Sequence, residues 1–292
     1  MSLSVSVVIV THNEGDNLRR TVEATRATVP DSTEIVVIDD ASTDGSAERL
    51  ESEPGIVIER PDRPLGISAG RNHGAKRSSG EVIIFSDAHV QPLQGWFAPL
   101  VEALDDPTVA EVTPAISHLD GRPGIGYGFT WPDISMRMKW LAAPGERPVD
   151  VPFVCGCFLA VRRDAFDEVG GFDEGMYRWG SEDAELSLRF WLSGYRCQVV
   201  PTAEAMHLFR DRFPYEVDHS GILSNVLRLA VLHFGAVGIE RVVSHHARRD
   251  VFAGAWTRLL DSDAWQRRRE LDSRRSHDIE WFARKFGIDA IS

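Results

Sequence analysis

Glu81-Val-Ile-Ile-Phe85-Ser86-Asp87-Ala88-His89 decides how this chain is read. The apolar run is of the kind that parallel sheets bury on both faces, and it stops in a polar turn. Side chains of an extended chain repeat every two residues, so Asp87 and His89 leave the strand end on one side. A carboxylate oxygen and an imidazole nitrogen presented together suit a divalent ion such as Mn²⁺. The same letters also describe a strand that simply runs into a turn, so the rest of the chain has to choose.

Upstream, Val5-Ser-Val-Val-Ile-Val10 reads as a buried strand and residues 17–28 as a helix. Glu34-Ile-Val-Val-Ile-Asp39-Asp40 and Ile56-Val-Ile-Glu59 are two further strands, and residues 68–76 form a helix leading to the Asp87 strand. This alternation predicts an α/β fold with a mostly parallel, doubly wound sheet, in which ligands sit outside the carboxyl ends of the strands. Polar groups gather at three such ends: Thr11 to Glu14, Asp39-Asp40, and Asp87 with His89. Neighbouring carboxylates repel one another unless a cation or a donor-rich ligand joins them, which favours a site. Asp39-Asp40 also has a plainer reading, as turn chemistry before Ala-Ser-Thr-Asp-Gly45. No Gly-x-Gly-x-x-Gly follows the first strand, so a dinucleotide fingerprint is missing. Arg71 either neutralises a diphosphate or is a solvated helix residue.

The chain has 292 residues, 43% of them apolar, and a net charge of −12. That balance argues against nucleic acid as a partner, since phosphate tracking needs clustered Lys and Arg. Cys155, Cys157 and Cys197 make an odd count without a paired framework, for which a cytoplasmic, reducing location is the simplest expectation. Cys155-x-Cys157 lacks the other half of a zinc site and reads as small buried residues. No apolar run approaches the ~20 residues that cross a bilayer, and no basic leader precedes the first strand, so neither a membrane span nor secretion is expected. Peripheral attachment stays open through residues 222–234, whose apolar faces equally suit a core helix.

In the second half, residues 121–152 are rich in glycine, proline and aromatics, a composition that lines pockets or acceptor grooves. Strand character resumes over residues 151–161, and a short helix over 163–169 closes at Gly170-Gly171. Tyr177-Arg-Trp179-Gly180-Ser181-Glu182-Asp183 then enters a helix, with Ser181 placed as its N-cap. Glu182 and Asp183 are favoured there by the helix dipole, or serve as carboxylates at a pocket floor that take a proton from an acceptor. The dipole lowers their pKa and burial raises it. Gln198-Val-Val-Pro201 is a last strand leading to Ala205-Met-His207-Leu-Phe-Arg210. With Asp87 and His89, His207 would complete three ligands and leave positions for two phosphate oxygens.

In this order the pieces resemble glycosyltransferases of GT-A fold, and among the family-two enzymes most of all the polypeptide N-acetylgalactosaminyltransferases. The resemblance covers residues 5–215 and rests on Val10-Thr-His-Asn-Glu14, Val37-Ile-Asp-Asp40, Asp87-Ala-His89, Phe129-Thr-Trp131, Arg162-Arg-Asp-Ala-Phe166, Trp179-Gly-Ser-Glu-Asp183, Arg189-Phe-Trp191, and His207-Leu-Phe-Arg210 with Pro214-Tyr215. It implies a Rossmann-like GT-A catalytic domain over 1–215, with a nucleotide half over 1–105 and an acceptor half over 106–215, and a helical extension over 216–292. It also implies transfer of a hexosyl or N-acetylhexosaminyl group from a UDP-sugar to an acceptor hydroxyl or similar nucleophile, on a peptide, glycan or lipid. Asp87, His89 and His207 would hold Mn²⁺ (or Mg²⁺), and Asp40 would read the uracil. Val10, Thr11, Glu14, Asp39, Arg71, Ser86, Asp87, Trp179, Arg210 and Tyr215 would complete the donor contacts, with Glu182 and Asp183 catalytic.

Some positions depart from the family pattern. Ser181-Glu182-Asp183 stands where the galactosaminyltransferases have Gly-Glu-Asn, and Glu-Asp is typical of inverting enzymes, so the metal motif resembles a retaining group and the carboxylate pair an inverting one. Phe213 replaces a family histidine, and Pro64 stands where a donor-contacting arginine is expected. Two other readings stay open: a sugar-nucleotide nucleotidyltransferase, whose glycine-rich loop with a lysine is not seen, and a non-catalytic sugar-nucleotide-binding module. Residues 222–234, 239–246 and 264–286 read as helices, with His245-His246 and Arg267-Arg-Arg269 on solvated faces.

Overall fold

The β-branched runs of the first half become strands that are buried on both faces, and the sheet grows outward from them. In the computed structural model, which describes residues 3–210, 217–288 and 291, β1 (Val5–Thr11), α1 (Asp16–Arg26), β2 (Glu34–Asp39), β3 (Ile56–Glu59), α2 (Ile67–Arg77) and β4 (Val82–Asp87) follow one another. Next come β5 (Val90–Pro92), α3 (Phe97–Glu102), β6 (Val109–His118), and the two-residue strands β7 (Ile125–Gly126), β8 (Phe129–Thr130), β9 (Lys139–Trp140) and β10 (Val149–Asp150). The second half continues with β11 (Phe158–Arg162), α4 (Arg163–Val169), α5 (Glu182–Leu192) and β12 (Arg196–His207). Five helices close it: α6 (His219–His233), α7 (Ala236–His246), α8 (Phe252–Leu260), α9 (Ala264–Asp272) and α10 (Ile279–Phe286).

The main sheet has the order β10-β12-β6-β11-β4-β1-β2-β3. β3, β2, β1 and β4 are parallel, and β12 is parallel to β6. β11 runs against both its neighbours, and β10 against β12. The expected mostly parallel α/β sheet is therefore present, with one reversed strand at its centre. Helices cover both faces, giving one apolar core around Leu18, Trp96 and Leu100 and another around Phe85, Phe166 and Phe190. Leu223, Leu227 and Phe234 belong to the second core, so α6 is packed against the same core as the sheet. Burying each such side chain is worth about 1.5–3 kcal/mol.

Four stretches differ from the sequence reading. β6 is a central strand that the pattern did not announce, because Glu111 and Pro114 interrupt its apolar run. A proline is rare in such a strand for want of an N–H. Here the partner strand accommodates it, since β12 bulges between Val200, opposite Pro114, and Glu204. That bulge also carries β12 past Pro201 to His207, well beyond the short strand expected. Residues 151–157 are irregular rather than strand, and residues 264–286 form two helices, the second begun by Asp278, whose side chain accepts from Trp281 N–H.

The close packing of α2 on β1 depends on two glycines. A Cβ on Gly74 would lie 2.2 Å from Val8 Cγ1, and one on Gly70 would lie 3.0 Å from Val10 Cγ1. Their absence of a side chain lets the helix settle on the sheet and delivers Arg71 to the strand ends.

Candidate metal and catalytic centre

Asp87 is the last residue of β4 and His89 lies in the turn to β5. β5 pairs antiparallel with the end of β12, setting Val90 opposite His207, and Leu208 N–H donates to His89 O at 3.1 Å. This pairing brings the third residue to the other two. The ligand atoms of Asp87, His89 and His207 all lie within 4.8 Å of one another. With bonds of about 2.0–2.2 Å, opposite ligands of one ion stand roughly 4–4.5 Å apart, so the set fits a single divalent cation after small side-chain adjustments. The hydrogen bonding points the same way. Neither ring nitrogen of buried His207 has a partner, nor has Nδ1 of His89, and His207 Nε2 is 3.6 Å from Asp87 Oδ2, too long for a hydrogen bond. One imidazole nitrogen from each histidine and a carboxylate oxygen make up the donor set of a Mn²⁺-type site. Burial alone would raise the Asp87 pKa, but the facing His207 and the charges of Arg71 and His89 hold it at about 2, so it is an anion at neutral pH.

Arg71 is buried rather than solvated, at 1% exposure. Its Nη2 donates to Asp87 Oδ1 (3.1 Å) and to the Gly156 carbonyl (2.6 Å), and its Nη1 donates to Glu182 Oε1 (3.4 Å). The Gly156 N–H in turn donates to Asp183 Oδ2 at 3.0 Å, and Cys157 O accepts from Asp87 N–H at 2.9 Å. The Cys155-Gly156-Cys157 segment is thus a wall shared by the metal residues and the carboxylate pair. Its small residues were the one sequence signal for it, read above only as buried packing. A side chain on Gly156 would meet Asp183 Cβ at 2.8 Å. The two thiols are buried and free, 3.3 Å apart.

Ser181 does not cap α5. It sits in the left-handed region at φ 70° and makes no side-chain cap bond. Glu182 takes a bond from Gly180 N–H instead, and Asp183 takes one from Ala184 N–H. Of the opposing effects on this pair, burial wins. It pushes Glu182 up to about 7, helped by the Asp183 charge, and it raises Asp183 despite the backbone N–H groups that favour its anion.

Other expected donor residues are placed as follows. Asp40 accepts from Leu65 N–H at 2.5 Å and Gly66 N–H at 2.9 Å, holding the entry to α2. Asp39 is buried and does turn work, accepting from Ser42 N–H and Arg60 Nε. Glu14 does not stand open to a ligand: its Oε1 accepts from Arg210 Nη1 at 2.9 Å and lies 3.3 Å from His89 Nδ1, so Arg210 is bound too. Burial would raise Glu14, and His89 and Arg210 outweigh it and lower its pKa. Ser86 is buried inside the sheet and its hydroxyl donates to the Asp87 carbonyl, which keeps it from the strand mouth. Val10 and Thr11 are buried at the end of β1, with Thr11 Oγ1 unpartnered. Trp179 is 47% exposed on the loop before α5. Tyr215 and Phe213 lie outside the described residues.

The sequence matches the model of glycosyl transferase family 2 over residues 6–170. The chain belongs to that family. As a family 2 glycosyltransferase it also matches, over residues 138–212, the model described as the N-terminal domain of galactosyltransferase. It is 31% identical over 239 residues to the probable N-acetylgalactosaminyltransferase 8 of Caenorhabditis elegans, covering 73% of this chain and 57% of that one. It is 33% identical over 252 residues to polypeptide N-acetylgalactosaminyltransferase 12 of Mus musculus, covering 77% and 43%. The chain therefore spans about half the length of the curated relatives it matches. Its fold superposes on the crystal structure of GalNAc-T7 with UDP, GalNAc and Mn²⁺ at a TM-score of 0.78 and 25% identity, over 98% of this chain and 57% of the other. The fold of this family 2 member is accordingly GT-A, with the C-terminal helices in place.

Proposed function

We propose that the chain is a Mn²⁺-dependent glycosyltransferase that moves a sugar from a UDP-sugar to the hydroxyl of an acceptor. The observation that carries this is the convergence of Asp87, His89 and His207, with neither ring nitrogen of His207 hydrogen-bonded, beside the buried Glu182 and the part-buried Asp183. The names of its relatives, polypeptide N-acetylgalactosaminyltransferases, and the UDP, GalNAc and Mn²⁺ of its structural neighbour support an N-acetylhexosamine donor and a peptide hydroxyl as acceptor.

In this reading Asp87, His89 and His207 hold the cation, which when bound supplies positive charge to the departing diphosphate. Asp40 faces the uracil with the lone pairs left by its two backbone bonds, and Trp179 and Glu182 face the sugar. Arg71 keeps Asp87 and Glu182 in register behind the reacting carbon. Asp183 has its orientation fixed by two backbone N–H groups, and burial makes it a stronger base than a free aspartate, so in an inverting displacement it takes the acceptor proton. Three free, buried cysteines support a reducing compartment as the working location. Among the described residues no helix is long and apolar enough to cross a membrane.

The test is a screen of UDP-sugars for Mn²⁺-dependent UDP release, with NMR of the product's anomeric carbon to fix the stereochemistry. Absence of metal-dependent binding or hydrolysis with every uridine-diphosphate sugar would remove the proposal.

A further inference from the structure

The loop that carries Trp179 and ends at Glu182 is held in a conformation it does not favour by itself. Arg178 and Ser181 have φ of 50° and 70°, and Gly180 has φ of 107°. Non-glycine residues rarely adopt such angles unless their surroundings impose them. Ser181 contributes no cap bond, so the constraint comes from elsewhere.

It comes from α6. Asn225, 1% exposed, accepts from Tyr177 N–H through Oδ1 at 2.6 Å. Through Nδ2 it donates to three carbonyls of the same loop, those of Tyr177 (3.0 Å), Trp179 (3.2 Å) and Gly180 (2.9 Å). One amide side chain thus uses its donor and acceptor capacity on a single turn of backbone. The contacts around it fit that purpose. A Cβ on Gly221 would lie 2.4 Å from the Tyr177 ring, the Arg258 guanidinium sits 3.7 Å over that ring, and Arg228 holds Asp173 at the start of the loop with bonds of 2.6 and 2.9 Å. On its far side the loop meets the start of α2, where Ile67 N–H donates to Arg178 O at 2.9 Å.

We propose that Asn225 is a positioning residue for the transfer reaction: by fixing the loop carbonyls it sets where Trp179 and Glu182 meet the donor's sugar. This rests on the reading above, in which those two residues face the sugar. The hydrogen bonds of Asn225 all go to the 177–180 loop and none to Asp40, Asp87, His89 or His207, which in this reading serve the nucleotide and the cation. Its loss therefore separates two quantities that a general loosening of the fold lowers together.

Calorimetric titration of the Mn²⁺-loaded protein with UDP and with UDP-N-acetylgalactosamine reads that separation, alongside the melting temperature. Asn225→Asp keeps the shape but turns a carboxylate toward three carbonyls, and Asn225→Ser is a milder change should the first fail to fold. The expected result is an unchanged UDP affinity, within twofold, and a loss of at least tenfold in the preference for the sugar nucleotide over UDP, greater for Asp than for Ser. Hydrolysis of the donor falls with it. Parallel weakening of both ligands, or no weakening of either, overturns the positioning role. If the wild-type protein itself shows no Mn²⁺-dependent binding or hydrolysis of any UDP-sugar, the functional reading fails first and takes this inference with it.

Discussion

Arg71 donates from Nη2 to Asp87 Oδ1 at 3.1 Å, so a fixed buried cation stands behind the carboxylate that faces the two histidines. The same guanidinium reaches Glu182, and removing it leaves the buried Glu182 and the part-buried Asp87 without their shared partner. Breaking a buried ion pair by deleting one member costs about 3–5 kcal/mol. Arg71→Met is expected to lower the melting temperature accordingly, and Arg71→Lys, which keeps the charge but loses the planar fork, to lie between it and wild type. Equal melting of all three proteins would show that the pairing is energetically idle.

His207→Ala should abolish metal capture while leaving the sheet intact, because the ring makes no hydrogen bond that the fold needs. Free Mn²⁺ followed by electron paramagnetic resonance should show affinity falling at least about 100-fold, the upper end of what even an outer-shell change costs. In the wild type, metal at about 100 times its dissociation constant should add roughly 2.7 kcal/mol of stability, reversed by a chelator. A chelator that leaves wild-type melting unmoved contradicts the site.

Asp183→Asn keeps the shape and the bond from Gly156 N–H but removes the base. Transfer to the acceptor should drop by about 10²–10⁴, with UDP binding in the presence of Mn²⁺ unaltered. Undiminished transfer would instead favour a binding module whose Asp183 is structural.

Glu111 gives a pH signature. It is fully buried on β6, takes a bond from Ser187 Oγ at 2.7 Å, and burial together with the Asp183 charge pushes its pKa to about 8. The folded protein holds this proton more tightly than the unfolded chain, whose carboxyl titrates at about 4.3. The resulting stability is complete below that value and is lost as pH rises through about 8. Between pH 6 and 8 the loss through this group is on the order of 2 kcal/mol. Denaturant titrations of Glu111→Gln should show a shallower decline over that range, with Glu182, whose pKa burial also raises, contributing to the slope that remains. An identical slope in both proteins would place the buried charge elsewhere.

Local patterns in the sequence carried the parallel half of the fold. The runs ending at Thr11, Asp39 and Asp87 are uniformly apolar and need no tertiary knowledge to be read as buried strands. The two-residue period suggested Asp87 and His89 as a pair only together with the other strand ends, and the structure places His89 in the turn just after β4. His207 needed the order of motifs, because β5–β12 pairing, which brings it to them, has no local trace. β6 was illegible because Glu111 finds its partner, Ser187, on α5 and Pro114 its accommodation in the bulge of β12. The Glu14–Arg210 pair and the grip of Asn225 on the loop join residues far apart in sequence, and each residue alone looks like an ordinary surface polar group. Ser181 misled for a related reason: an N-cap motif presumes an extended backbone, and neighbours had already set that backbone otherwise.

The reach of β12 has a consequence for how the molecule comes into being. While the chain is being synthesised, the first four strands can assemble with Asp87 and His89 at their rim, yet His207 arrives more than a hundred residues later, at the tip of the last strand to dock. Contacts so distant in sequence form slowly and late. On the proposed reading of the site, all three residues could grip a cation together only once β12 has docked.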